Sequence, residues 1–246
     1  MKRLKRLWWV LPAVLVVAVA AFVLWASAAA TPMPQALAAL ETDAQVAVDT
    51  DPWLVFRPVD GEPSTGLVLY PGGRVDPRAY APAARAIAGE GYLVAIVPMP
   101  LNLAFFAAGR AAEVMDAFPD VQHWAVGGHS LGGAMAANFV AGNPGAVDGL
   151  VLWAAYPAGG DDLSGRQLAV ASVYGTRDGL ATPEEVAASR PLLPPDAVWT
   201  AIEGGNHAGF GWYGPQSGDS EATISREEQQ AQVVAATVQL LRALEE

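Results

Sequence analysis

Short apolar stretches alternate with helical stretches along most of this chain, and this alternation constrains its fold more than any other feature. The runs GLVLY (66–70), LVAIVP (93–98) and GLVLWAA (149–155) contain no charged residue, as is typical of strands that are buried on both faces. Segments with helical character lie between them, for example at 102–118 and 131–142. Strands that alternate with helices form parallel sheets covered on both faces. We therefore predict a doubly wound α/β domain with a mostly parallel sheet.

The remaining segments extend the same pattern. QVAVDTDPWLVFRPV (45–59) has two apolar runs around an Asp-Thr-Asp-Pro turn, which predicts a hairpin. A long amphipathic helix with an acidic, capped start is expected at 225–244. Further strands are predicted at 123–128, 168–175 and 197–205, and further helices at 76–90 and 182–190.

The first thirty residues differ from the rest of the chain. Four basic residues within the first six positions, Lys2, Arg3, Lys5 and Arg6, precede an apolar stretch of twenty residues, 7–26. As a helix, this stretch is long enough to cross the roughly 30 Å hydrocarbon layer of a membrane. Tryptophans lie near both of its ends, as is common at membrane–water interfaces. Residues 1–30 are therefore predicted to be an uncleaved signal anchor.

A cleaved signal peptide is the alternative for this segment, because ASAAA (26–30) contains A-x-A patterns that a signal peptidase accepts. In both cases the basic end stays in the cytoplasm and the rest of the chain crosses the membrane. TPMPQALAAL (31–40) is interpreted as a linker, since its prolines interrupt helix. The folded domain is then expected to span 41–246 and to work outside the cytoplasm.

Charge and composition exclude several classes of function. Beyond residue 30 the chain has ten arginines against twenty-five carboxylates, a formal balance of −15. Such a domain lacks the basic surface that neutralises phosphates, so nucleic acid is not an expected partner. The chain has no cysteine, which excludes disulfides, thiolate metal sites and a cysteine nucleophile. It also has no H-E-x-x-H motif and no histidine pair at ligand spacing, so we expect no metal and no cofactor.

The segment GGHSLGG (127–133) places a serine between two pairs of glycines, where a predicted strand meets a predicted helix. Residues 128–132 fit G-x-S-x-G, the nucleophile elbow. This turn is so tight that the residues two before and two after the serine nearly touch, so both must be small. It strains the serine backbone and raises the hydroxyl above the sheet. Ser130 is thus the candidate nucleophile, with a purely structural glycine turn as the alternative.

A serine hydroxyl needs a base, and the chain has three histidines. His123 opens a strand on the far side of the elbow and is interpreted as a sheet-end residue. His129 adjoins Ser130, but neighbours in so sharp a turn point apart, which favours a packing or supporting role. His207 follows the last predicted strand on a glycine-flanked loop, where residues at strand ends converge. His207 is therefore the candidate base.

The base in turn needs a carboxylate that orients it and stabilises its charged form. Asp178 lies four residues after the end of a predicted strand, in the loop before a helix. The order Ser130, Asp178, His207 is the one that this architecture requires. A turn or helix-capping role is the alternative for Asp178. Three other carboxylates follow neighbouring strands: Asp161, Asp162 and Glu203.

On the motifs GGHSLGG, YGTRDG and GGNHAGFG, residues 45–245 resemble the α/β-hydrolase superfamily, in particular its small lidless members such as dienelactone hydrolases and simple carboxylesterases. The resemblance implies that Ser130 is the nucleophile, His207 the general base and acid, and Asp178 the residue that orients the histidine. It further implies a serine hydrolase that cleaves small esters or lactones through an acyl-enzyme.

The resemblance also implies an oxyanion hole. One donor would be the backbone N–H of Leu131, and the second would come from the turn after LVLY. That turn is Tyr70-Pro71-Gly72-Gly73-Arg74 here, with proline at the position where the family often has histidine. Gly73 is the expected second donor and Arg74 the alternative, because any residue except proline carries an N–H.

Two apolar segments are expected to border the site. FGWYGPQSGDSEATIS (210–225) follows the candidate base and contributes Phe210 and Trp212, and PMPLNLAFF (98–106) contributes Asn102 and Phe105. These walls suggest small, uncharged substrates. Two other functions stay open: a non-catalytic, membrane-tethered binding module on the same fold, and acyl transfer or perhydrolysis from the same site.

Overall fold

The computed structural model describes residues 8–246 and contains one eight-stranded sheet. The basic cluster at positions 2–6 lies outside the described residues. The strands are β1 (Val46–Asp49), β2 (Leu54–Pro58), β3 (Thr65–Tyr70), β4 (Leu93–Ile96), β5 (His123–His129), β6 (Gly149–Trp153), β7 (Ala169–Gly175) and β8 (Val198–Ile202).

The sheet is mostly parallel, as the sequence predicts. Its strand order is β1-β2-β4-β3-β5-β6-β7-β8. The expected hairpin forms from β1 and β2, and β2 also pairs antiparallel with β4. All pairs from β4–β3 to β7–β8 are parallel. The carboxyl ends of these six strands therefore meet along one edge of the sheet, and the loops that follow them lie side by side.

Helices cover both faces of this sheet, which confirms the predicted α/β architecture. One apolar core lies under α3 (Ala81–Gly89) and α7 (Arg226–Ala243), and a second lies under α4 (Arg110–Ala117) and α5 (Leu131–Gly142). The central strands contribute to both cores, because successive side chains point to opposite faces. The three remaining helices are α1 (Val10–Ser27), α2 (Pro34–Ala38) and α6 (Pro183–Ala188).

The predicted helix at 102–118 is wrong over its first half. Only α4, from residue 110, is helical there, and residues 100–106 form two single 3-10 turns. Leu101 and Asn102 have positive φ angles of 54° and 55°, which an α-helix does not allow. The carbonyl of Asn102 accepts a hydrogen bond from the N–H of Arg74 at 2.8 Å. Tertiary contact thus holds this segment in a conformation that its periodicity does not indicate.

The N-terminal helix α1 has 18 residues and is the only helix in residues 8–246 that is long and apolar enough to span a membrane. Nearly all of its side chains are exposed, but Ala26 in its last turn is buried. The segment at 31–40, interpreted as a linker, packs on the domain. Ala30 forms a parallel bridge with Val75, and Ala36 in α2 is fully buried.

Candidate active site

Ser130 lies in the sharp turn between β5 and α5. Its backbone has φ 53° and ψ −123°, a conformation that is strained for a residue with a side chain. The N–H of Ser130 donates to the carbonyl of Trp153 at the end of β6, at 2.9 Å. A Cβ at Gly128 would lie 2.5 Å from the backbone carbon of Gly132. The two glycines that flank the serine therefore touch, as the G-x-S-x-G pattern predicts.

His207 and Asp178 form a buried pair. His207 follows β8 and Asp178 follows β7, and Nδ1 of the imidazole lies 2.8 Å from Oδ2 of the carboxylate. Both side chains are almost fully shielded from solvent. The other carboxylate oxygen, Oδ1, accepts the N–H groups of Leu180 and Ala181, each at 2.8 Å. These two bonds fix the carboxylate, so that Oδ2 faces the histidine.

The three rival carboxylates lie elsewhere. Asp161 accepts a hydrogen bond from Asn138 at 3.0 Å, and Asp162 accepts the N–H of Ser164. Glu203 is exposed at the end of β8. Within the described residues, Asp178 is the carboxylate that pairs with His207.

The free nitrogen of His207, Nε2, is buried and has no hydrogen-bond partner within the described residues, and no bond joins it to Oγ of Ser130 there. The imidazole nevertheless lies beside the elbow, with its ring centroid 4.5 Å from that of His129. Catalytic hydrogen bonds are often open in the absence of substrate and close in the Michaelis complex. Nδ1 is engaged by Asp178, so Nε2 is the atom left to act on a neighbouring group.

His129 is a buried residue that supports the elbow. Its Nδ1 lies 2.9 Å from the hydroxyl of Tyr80, and its ring stacks on Phe210 with centroids 5.7 Å apart. Burial, reinforced by the neighbouring His207, lowers the pKa of His129 well below its usual 6.5. Burial likewise raises the pKa of the Tyr80 hydroxyl. Both groups are therefore neutral near pH 7. This placement agrees with the supporting role predicted for His129.

The turn after β3 lies against the start of α5. The N–H of Gly72 donates to the Tyr80 hydroxyl at 2.9 Å, and the N–H of Arg74 donates to the carbonyl of Asn102 at 2.8 Å. A Cβ at Gly73 would lie 3.1 Å from Cδ2 of Leu131. Gly73, Ser130 and Leu131 are all partly exposed. Of the two alternative donors considered in this turn, Arg74 is thus already engaged, and Gly73 is the one beside Leu131.

Asp219 is a residue that the sequence patterns do not single out. Its Oδ2 accepts the N–H of Ala208 at 2.8 Å, and its Oδ1 accepts the N–H groups of His207 at 3.2 Å and Gly179 at 3.1 Å. One carboxylate thus binds the loop of the candidate base to the loop of its carboxylate partner. Asp219 lies in an irregular loop outside any motif, so only the tertiary structure identifies it.

The first turns of α7 hold the histidine loop from the other side. Gln229 is fully buried and bonds both to the N–H of Asn206, at 3.1 Å, and to its carbonyl, at 2.7 Å. Gln230 donates to the carbonyl of Gly209 at 2.7 Å. Arg226 donates to the carbonyls of Ala208 and Gly211. Glutamines on the inner face of an amphipathic helix are the sequence signal that could have indicated this support.

The four predicted wall residues occupy different environments. Phe105 is 48% exposed and lies against Phe106. Phe210 is fully buried and packs on His129, and Trp212 is nearly buried. The side-chain amide of Asn102 donates to the carbonyl of Ala26 at 3.2 Å. Phe105 is therefore the one of the four whose side chain is open to solvent, while Asn102 is turned towards the N-terminal helix.

The described part of the chain contains no cluster of metal-ligand side chains. Within residues 8–246, no three His, Asp or Glu side chains are grouped so that they could hold a metal ion.

Comparisons with known proteins agree with this architecture. A family model described as the alpha/beta hydrolase family matches residues 66–231. No curated protein matches the chain. Among solved structures, a predicted CIB-like hydrolase from Thermoplasma acidophilum has a TM-score of 0.59 at 18% identity, and the match covers 83% of this chain and 100% of that one.

Two further solved structures share the fold. A thermophilic esterase from Thermogutta terrifontis has a TM-score of 0.55 at 15% identity, with 81% of this chain and 92% of that chain covered. The esterase domain of a Rhodothermus marinus protein has a TM-score of 0.53 at 15% identity, with coverages of 76% and 91%. At these identities the likeness concerns the fold. The family model spans well over half of the residues of this chain, and together with the shared fold this match shows that the chain belongs to the α/β hydrolase family.

Proposed function

We propose that this protein is a serine hydrolase that cleaves a small ester or lactone, with Ser130, His207 and Asp178 as its catalytic residues. The observation that carries the proposal is the buried Asp178–His207 pair, whose imidazole lies beside the elbow that bears Ser130. A buried and oriented imidazole next to a strained serine is the arrangement that makes a hydroxyl nucleophilic.

The proposed reaction has two halves. Oγ of Ser130 attacks the substrate carbonyl carbon, and its proton passes to Nε2 of His207. Asp178 stabilises the resulting imidazolium through Nδ1–H. The alcohol then leaves with the proton from Nε2, and an acyl-enzyme remains. Water then attacks the acyl carbonyl and gives a proton to the same nitrogen. The bond between the acyl carbon and Oγ breaks, the acid leaves, and Oγ of Ser130 takes the proton back from Nε2. In a lactone, the alcohol and the acid belong to one product.

The oxyanion of each tetrahedral intermediate would be held by backbone N–H groups of Leu131 and Gly73. The proximity of Gly73 to Leu131 supports this pair, and the engaged N–H of Arg74 argues against the alternative donor. The N-terminus of α5 adds a favourable field for negative charge. The Tyr80 hydroxyl, bonded to Gly72 and His129, would hold the two donor segments in register.

We further propose that α1 is retained as a membrane anchor and that the catalytic domain lies outside the cytoplasm. The contacts of its last turn with the domain support retention. Arg74 donates to the carbonyls of Trp25 at 2.9 Å and Ala28 at 3.0 Å, and its guanidinium lies over the Trp25 ring. Cleavage within ASAAA would remove most of these contacts.

A fluorophosphonate labels serines that are activated as nucleophiles, and it tests the proposal directly. The full-length protein should be labelled, and Ser130→Ala should not be. Ser217→Ala, in an exposed loop, is the matched control and should be labelled like the wild type. Ser130→Ala should also reduce turnover of short activated esters by roughly 10³-fold or more. Equal labelling of wild type and Ser130→Ala, with both proteins folded, would refute the assignment.

A further inference from the structure

The last turn of α1 is fixed to the edge of the candidate active site. Arg74 binds the carbonyls of Trp25 and Ala28, and Asn102 donates to the carbonyl of Ala26. Arg74 directly follows Gly73, the proposed oxyanion donor. Because an interfacial tryptophan marks the membrane surface, Trp25 sets the height of this part of the domain relative to a bilayer.

The segment 98–106, called the rim loop below, lies between α1 and the site. On one side, a Cβ at Gly73 would lie 3.8 Å from Cδ2 of Leu103 in this loop. On the other side, the ring of Phe106 lies 6.3 Å from that of Phe22 in α1. Phe22 precedes Trp25 by three residues and so lies about 4.5 Å closer to the N-terminus of α1. In a helix that spans the membrane, this is the hydrocarbon side of Trp25. In a bilayer that α1 spans, Phe106 at the end of the rim loop would therefore lie at the level of the acyl chains.

The chemistry of the rim loop fits that position. PMPLNLAFF contains no charged residue, and Phe105 and Phe106 are 48% and 49% exposed. Two adjacent, half-exposed phenylalanines beside a membrane helix are typical of residues that enter the interface. The rest of the domain is acidic, so attraction to anionic lipids would not hold it at the surface. Burial of the apolar side chains of the rim loop in the bilayer is therefore the interaction that would hold the loop at the membrane.

From this geometry we infer that the rim loop inserts into the outer leaflet and that the active site takes esters from the bilayer, with the acyl chain of the substrate still among the lipids. The inference rests on the proposed function, both on its serine chemistry and on the retained α1. It adds a substrate class, membrane-borne acyl esters, and an entry side, the edge between the rim loop and Gly73. We thus assign membrane lipid as the partner that covers the exposed phenylalanines of the rim loop.

The first test measures depth. The chain has no cysteine, so Phe106→Cys in the full-length protein gives a single site for a bimane fluorophore. The protein is reconstituted in phosphatidylcholine vesicles with or without nitroxide-labelled phosphatidylcholine. Val59→Cys is the matched control, because Val59 is 48% exposed and lies after β2, beyond the opposite edge of the sheet. Quenching at position 106 but not at 59 supports insertion. Equal quenching at both, or none at 106, overturns it.

The second test measures access. Phe106→Ser should slow hydrolysis of a long-chain nitrophenyl ester carried in vesicles by roughly tenfold or more, because the rim loop loses one of its two exposed phenylalanines. Hydrolysis of water-soluble nitrophenyl acetate should stay at the wild-type rate, and Val59→Ser should affect neither substrate. Equal loss on both substrates, or no loss on the vesicle-borne ester, contradicts the inference. Failure of the proposed function looks different, since Ser130→Ala would then match wild type on both esters.

Discussion

His129 is a buried histidine without a charge partner, and at the scale of the residue this makes it a source of pH dependence. Its Nδ1 bonds to the Tyr80 hydroxyl, its Nε2 has no partner among the described residues, and Phe210 covers its ring. In the unfolded chain, the same imidazole takes up a proton near pH 6.5. In the folded protein, burial opposes that proton. Folding therefore competes with protonation below the ordinary pKa of histidine.

The sign of the effect follows from linkage. Since the folded pKa of His129 lies below the unfolded one, the free energy of unfolding decreases as the pH falls below 6.5. Between pH 7.5 and 5.5, His129 should therefore lower the free energy of unfolding. Urea unfolding at both pH values should show this loss in the wild type and a smaller loss in His129→Gln. His123→Gln, whose side chain is 39% exposed, should keep the wild-type decline. An unchanged decline in His129→Gln would contradict the account.

Asp219 offers a second test at this scale, as a positioning residue. In Asp219→Asn an amide group takes the place of a carboxylate oxygen, so the N–H groups of His207, Ala208 and Gly179 lose a charged acceptor. The free energy of unfolding should fall by about 1–3 kcal/mol. The kcat for a soluble ester should fall more than KM changes, because the imidazole is displaced while the substrate walls remain. Glu221→Gln, exposed in the same loop, should match the wild type in urea unfolding and steady-state kinetics. Identical behaviour of the two variants would remove the positioning role.

At the scale of the element, the elbow and its helix could be predicted from sequence, and the rim loop could not. Helix α5 has the bounds 131–142 that its composition predicts, because a glycine turn and a run of small residues are local signals. The second half of the rim loop belongs to the segment 102–118, which has helical periodicity, but contacts with Arg74 and Ala26 hold Asn102 out of a helix. Those partners are distant in sequence. For the same reason, the sequence indicates Asp178 and His207 through motifs but gives no sign of Asp219 or Tyr80.

The elbow leaves no space for a side chain at position 132, so this position must be glycine. Two glycines of α5, one crowded and one open, allow a test of this explanation. A Cβ at Gly132 would collide with the backbone carbonyl oxygens of Tyr70 and Pro71. Gly132→Ala should therefore cost about 1–3 kcal/mol of unfolding free energy, and it should reduce the proposed hydrolase activity because the turn after β3 must move. Gly142→Ala, at the open end of α5, should be neutral or stabilising by up to about 1 kcal/mol. Urea unfolding of both variants measures these changes. Similar free energies of unfolding for Gly132→Ala and Gly142→Ala would contradict the packing explanation.

At the scale of the whole molecule, the fold class could be predicted because alternating strands and helices allow few topologies. The position of the N-terminal segment could not. Residues 31–40 have the composition of a linker, yet Met33 donates to the carbonyl of Trp212 at 2.8 Å and Ala36 is buried. These residues pass from the turn after β3 to the loop after the candidate base. Helix α1 and the α/β-hydrolase domain are thus joined by a packed segment rather than by a free linker.

The proposed anchoring through α1, rather than through surface charge, has a measurable consequence. The full-length protein should sediment with membranes and resist extraction by 1 M salt or by alkaline carbonate, because about twenty apolar residues hold it and the remainder is acidic. A variant that lacks residues 1–27 should be released into the soluble fraction. Protease added to intact cells or spheroplasts should reach the domain if it lies outside the cytoplasm. Release of the full-length protein by salt would contradict the anchor.

The backbone of Ser130 has a further consequence, for the history of such proteins. A serine at φ 53° costs the fold roughly 1 kcal/mol or more that a glycine would not cost. Replacement of Ser130 by glycine would therefore remove the proposed nucleophile and at the same time relieve the backbone strain at this position. In a related protein that is no longer under selection for the reaction, this single substitution would increase the free energy of unfolding. Catalytically inactive and more stable proteins with this fold are therefore easily reached in evolution.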